Sequence, residues 1–141
     1  MRSLNRAAFL LVFIAFAGCA TTTPRQVLES DQSQVALRSI QSRSFDTADK
    51  EKTMRTVIAT LQDLDFLIEN ADLVLGSVTG TKFYSNEAIK ITVTVRPKGE
   101  TQMIVRANAQ YGYKAVEAPE TYQDFFAALE KSMFLTANQV D

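Results

Sequence analysis

Residues 88–96, AIKITVTVR, alternate without a fault. Ile89, Ile91, Val93 and Val95 share one parity, and Lys90, Thr92, Thr94 and Arg96 share the other. Successive strand side chains point to opposite faces, so this is a strand buried on one side and open to water on the other. A sheet with one wet face is typically antiparallel. Pro97-Lys98-Gly99-Glu100 reads as a hairpin turn into a strand over 101–111 (TQMIVRANAQY), with Met103, Val105, Ala107, Ala109 and Tyr111 on one side. Upstream, Ser85-Asn86-Glu87 turns the chain out of a strand over 73–84 (LVLGSVTGTKFY), and Asn70-Ala71-Asp72 turns it out of a short strand at Phe66-Leu67-Ile68. Gly76 and Gly80 mark bulges or close approaches in the longer strand.

Two amphipathic helices flank these strands. Met54, Val57, Ile58, Leu61 and Leu64 recur at the spacing of one helical face, which predicts a helix from about 48 to 64. Asp46 or Thr47 can cap it, Asp49 and Glu51 suit its first turn, and Asp65 stands where a left-handed cap is often needed. Pro119 opens a last helix whose stripe is Tyr122, Phe125, Phe126, Leu129 and Met133, widened by Phe134 and Leu135. Residues 37–45 (LRSIQSRSF) read as a first strand. The order is β-α-β-β-β-β-α: an α+β two-layer sandwich, an antiparallel meander with both helices on one face.

The N-terminus sets the address. Arg2 and Arg6 precede an apolar run from Ala7 to Ala17, followed by Gly18 and Cys19. A basic start, a short apolar core and small residues before a cut site make a signal peptide, 1–18. The run falls short of the roughly 20 apolar residues that cross a bilayer. Phe16-Ala17-Gly18-Cys19 resembles a bacterial lipobox, which implies cleavage between Gly18 and Cys19 and covalent diacylglycerol and N-acyl lipid on Cys19. Ala20 follows in place of the aspartate that resembles an inner-membrane retention signal, so the expected location is the periplasmic face of the outer membrane. Residues 19–36 then read as the lipidated end and a flexible tether, with a short helix over Gln26–Gln34 as the other reading, and 37–141 as a single periplasmic domain.

Leu61-Gln62-Asp63-Leu64-Asp65-Phe66 with Gly76, and the tail Tyr122 to Leu135, resemble small uncharacterised outer-membrane lipoproteins, which often carry glycine where this chain has Asp65. The layout resembles the helix-grip architecture of BamC, an accessory lipoprotein of outer-membrane protein assembly. Neither resemblance implies an activity.

Composition removes several chemistries. The chain of 141 residues has no histidine and no tryptophan, and one cysteine. Histidine-based acid–base catalysis and histidine–zinc sites are out, and acylation would consume the thiol. The part after residue 18 carries thirteen basic and sixteen acidic residues, which argues against nucleic acid as a partner. Asp63, Asp65, Glu69 and Asp72 lack the spacing of a calcium loop and read as a solvated helix end and turn, and Gly76-x-x-x-Gly80 lacks the Lys-Ser/Thr of a phosphate loop. The expectation is no enzyme, no metal and no cofactor.

Lys82, Lys90, Arg96 and Arg106 all fall on predicted strands and form the candidate binding face. Such cations could meet an envelope protein or an anionic lipid, or serve only solubility and edge protection. The expected function is an accessory subunit in envelope assembly or transport. The alternative is a carrier of lipid or a small apolar ligand between helices and sheet, which would need a cavity of at least a few hundred cubic ångströms behind Phe125 and Phe126.

Overall fold

A computed structural model describes residues 33–85 and 87–137. The signal segment, Gly18 and Cys19, and residues 20–32 of the tether lie outside the described residues. The elements run in the order α1 (33–40), β1 (Ser42–Phe45), α2 (Lys50–Asp63), β2 (Leu67–Asp72), β3 (Ser77–Tyr84), β4 (Glu87–Lys98), β5 (Gln102–Tyr111), β6 (Lys114–Ala115) and α3 (Pro119–Ala137). This is the α+β sandwich that the periodicities predict.

The sheet is antiparallel, in the order β1-β5-β4-β3-β2, with β6 beside β5. Strands β2 to β5 form the expected meander. Strand β1 stands at the far edge, so α2 carries the chain across the sheet from one edge to the other. Ile91, Val93, Val95, Met103, Val105, Ala107 and Val78 meet Met54, Val57 and Leu61 of α2 and Tyr122, Phe125, Phe126 and Leu129 of α3 in one buried cluster. The alternation of 88–96 is therefore real: one parity is core and the other is solvent.

Local chemistry places the ends of α2. Its N-cap is Asp49, not Asp46 or Thr47: the Asp49 carboxylate accepts the Lys52 N–H at 2.8 Å, while the Thr47 hydroxyl accepts the Asp49 N–H at 3.2 Å. At the other end Phe66 N–H reaches Leu61 O at 2.9 Å and Asp65 N–H reaches Gln62 O at 3.0 Å, with Asp65 at φ 64°. That is a Schellman motif with a non-glycine residue in the left-handed position.

Several expectations are displaced. Residues 37–40 are helical rather than extended, and α1 includes 33–36 of the segment read as tether. Asn70-Ala71-Asp72 is strand, because a bulge between Ile68 and Asn70 absorbs the irregularity. The turn lies instead at Leu73-Val74-Leu75-Gly76. There the Asp72 carboxylate accepts Leu75 N–H at 2.7 Å, Lys50 Nζ donates to Val74 O at 2.9 Å, and Gly76 takes φ 64°. A Cβ on Gly76 would run into the Val95 carbonyl oxygen, so glycine is required by space as well as by φ. Phe134 and Leu135 are exposed, because they sit one and two steps of about 100° past Met133, off the buried stripe.

The outer edge of β5 is shared. Strand β1 covers 103–106, β6 covers 110–111, and Gln41 O takes Ala107 N–H at 2.9 Å. In the remaining gap the buried Tyr122 hydroxyl accepts from Ala109 N–H at 3.2 Å and from Gln41 Nε2 at 3.1 Å, and donates to Val116 O at 2.6 Å.

Tyr122→Phe strands these three buried groups, each worth about 1–3 kcal/mol when unsatisfied. Urea unfolding should show a loss of about 2–4 kcal/mol, against a change within about 0.5 kcal/mol for the exposed Tyr111→Phe. Asp65→Gly should stabilise by about 0.5–1 kcal/mol, because the left-handed backbone suits glycine better; a lower melting temperature would contradict that reading of the cap.

Candidate functional site

The register defines the open face row by row. Leu67, Thr81, Lys90 and Gln110 form one row across β2, β3, β4 and β5. Asn70, Thr79, Thr92 and Asn108 form the next, and Asp72, Ser77, Thr94, Arg106 and Ser42 the third. Arg96, Ile104 and Ser44 follow. Hydroxyls and amides dominate, and they tie the strands together: Thr79 and Thr92 hydroxyls lie 3.3 Å apart, Arg106 Nε donates to Ser42 Oγ at 3.2 Å, and Lys98 Nζ donates to Ser44 Oγ at 2.9 Å.

This face is electrically divided, which composition did not reveal. The bulge in β2 turns Glu69 onto it, where the carboxylate accepts Thr81 Oγ1 at 2.6 Å and meets Lys90 Nζ at 2.8 Å. Lys90 and Thr81, by hydrogen bonds, hold the Glu69 carboxyl below its ordinary pKa. Lys90 is thus neutralised beside the acidic β2 edge. Arg96 and Arg106 are exposed and form no ion pair among the described residues. Arg106 is paired with Thr94, two residues before Arg96 on β4, so the two are diagonal neighbours, about 7–8 Å apart at the backbone. The unpaired arginines lie on the β4–β5 half, where Asp46 accepts from Gln102 Nε2 at 2.5 Å.

Lys82 does not belong to this face. Its parity matches Val78, and its partner in register is the core residue Ile89, so it points toward the helices. There its ammonium donates to Leu64 O at 2.9 Å, at the negative end of α2, with Asp65 at 3.5 Å and the Tyr84 ring 5.2 Å away. The Tyr84 oxygen, with a smaller contribution from Asp65, raises the Lys82 pKa above its ordinary value against the opposing effect of burial. Lys82 is a helix cap. Asp63, Asp65, Glu69 and Asp72 likewise disperse to a helix end, a left-handed cap, the open face and a turn.

Between sheet and helices, Phe125 and Phe126 are buried with rings packed edge to face at 5.1 Å. The cleft beside them, bordered by Leu64, Phe66, Lys82, Tyr84, Ile91 and Phe125, holds about 190 Å³. That is below the few hundred cubic ångströms a carrier needs. The larger concavity, about 530 Å³, is an open groove between α2 and α3 walled by Asp49, Glu51, Lys52 and Arg55. Among the described residues no three of His, Cys, Asp and Glu gather as a metal-holding group.

No protein-family profile matches the sequence, and no curated protein matches it.

Sequence reasoning reached Lys90, Arg96 and Arg106 by alternation alone. It missed Glu69 as the partner of Lys90, because a bulge shifts parity in a way no period records.

The sign of the pH effect follows from the lowered Glu69 pKa. Its contribution to stability is complete above the ordinary glutamate range and is lost as pH falls through the folded value. Lys90→Met removes the largest cause, so the Glu69 carboxyl resonance should titrate at higher pH than in the parent protein. An unchanged NMR titration midpoint would dissolve the pair.

Proposed function

We propose that this chain is a non-catalytic, lipid-anchored lipoprotein at the periplasmic face of the outer membrane, acting as an interaction subunit in envelope assembly or transport. In this reading Cys19 carries the lipid and the open sheet face docks an acidic segment of an envelope protein. The observation that carries it is the Arg96–Arg106 pair: two guanidiniums without carboxylate partners among the described residues, on a face of hydroxyls and amides. Carboxylates two residues apart on an extended strand recur every 6–7 Å, which suits the diagonal spacing of the two arginines. Guanidinium also binds carboxylate in bidentate fashion, a geometry that lysine cannot reproduce. The small helix–sheet cleft favours docking over the carrier alternative.

Crosslinking in native membranes, with mass spectrometry of co-purifying proteins and lipids, tests this reading. Arg96→Glu with Arg106→Glu should abolish a stoichiometric protein adduct, since like-charge juxtaposition costs several kcal/mol, roughly a hundredfold or more in affinity. Both residues are exposed, so stability should shift by less than about 1 kcal/mol. Cys19→Ser should remove the acyl label and release the chain from membranes. A co-purifying lipid without a protein adduct would move the assignment to a carrier.

A further inference from the structure

The sheet has two chemically distinct ends. At one end lie the β3–β4 turn, the end of β5 and the start of β6. Tyr84 and Phe83 close β3, Tyr111 closes β5 opposite Ile89 and Lys114, and Tyr113 stands between β5 and β6. All four rings are exposed. The chain has four tyrosines, and the fourth is the buried Tyr122, so every exposed tyrosine is at this end. At the opposite end the exposed large hydrophobic residues are aliphatic, Leu73, Val74 and Leu75 in the β2–β3 turn, beside the exposed charged turn at 98–100.

The described chain also begins at the tyrosine end. Helix α1 borders a shallow groove together with Glu117 and Pro119, between β6 and the first turn of α3, and Gln41 then joins β5 at Ala107. Thirteen residues separate Cys19 from Ser33. Even fully extended, that many residues span at most about 45 Å. The sheet is about 40 Å long along the twelve residues of β4. A lipid on Cys19 would therefore hold the tyrosine end, where the described chain begins, within that distance of the bilayer.

We propose that Tyr84, Tyr111, Tyr113 and Phe83 form a membrane-facing rim that seats in the headgroup layer of the phospholipid leaflet to which the chain is anchored. This rests on the lipid-anchored reading of Cys19. Tyrosine suits the layer physically: its ring prefers a half-apolar environment, and its hydroxyl keeps a hydrogen-bond partner in the wet headgroups. Seated this way, the strands stand upright on the membrane, and the face bearing Arg96 and Arg106 looks sideways into the periplasm. The Leu73–Leu75 tip then points away from the bilayer.

The absence of tryptophan makes the test direct. Full-length acylated Tyr113→Trp and Val74→Trp each carry a single tryptophan at one end of the sheet, both at exposed positions. They are reconstituted into vesicles of phosphatidylethanolamine and phosphatidylglycerol with or without brominated acyl chains, and vesicle flotation and acyl labelling are read on the same samples. Tyr113→Trp should lose about half of its emission to brominated lipid and shift to the blue, while Val74→Trp stays unquenched. Floating, acylated protein with the residue-113 fluorophore unquenched, or with Val74→Trp the quenched variant, overturns the orientation and leaves the anchor standing. Chains that neither carry acyl label nor float overturn the anchor, and the orientation with it.

Discussion

The Tyr122 hydroxyl is the point at which this fold closes. Strand β5 has one long neighbour, β4, and on its other side only short pieces: four residues of β1 and two of β6. A sheet edge left with unpaired N–H groups under a helix is costly, because no water replaces the missing partner. One phenolic oxygen, accepting from Ala109 and Gln41 and donating to Val116, fills the gap and joins the chain before β1, the chain after β6 and helix α3 at a single atom. The ring beneath it belongs to the same buried stripe as Phe125, Phe126 and Leu129. Packing of α3 and completion of the sheet are thus one event. This explains how strands too short to be stable alone can flank the core.

With one face covered by two helices, the other face is the broad surface left open among the described residues. Thr, Ser, Asn and Gln are arranged in rows. Glu69 and Asp72 sit at the β2 edge, with Lys90 spent on Glu69, while Arg96 and Arg106 stand together on the β4–β5 half. Such a dipolar plane orients a charged partner as it arrives, which affects encounter and register more than raw affinity. Both sheet edges are short, and β2 is bulged, a device that discourages indiscriminate strand addition. In the docking reading, the open face rather than an edge would take the partner.

Much of this was legible in the sequence, for reasons that are local. The alternation of 88–96 fixes the faces of β4, and through short turns those of β5. The stripes of α2 and α3 follow from their period, and Asp65 was readable as a left-handed cap. What escaped depends on distant contacts. Lys82 has the parity of a core residue, and only the arrival of the α2 carbonyl end above β3 gives its ammonium a use. The turn at 73–76 carries three aliphatic residues and is made by Asp72, Lys50 and Gly76 acting from outside it. Tyr122 was legible as a core ring, but nothing in its neighbours shows that its hydroxyl completes a strand edge.

Amide hydrogen exchange tests that closure most directly. If the Tyr122 hydroxyl holds the gap, the Ala109 amide is protected as strongly as the amide of Val95, a buried residue in the middle of the sheet, and exchanges only through global unfolding. If Ala109 instead exchanges as fast as the amides of β6, the edge opens independently of the core, and the hydroxyl is not what joins α3 to the sheet.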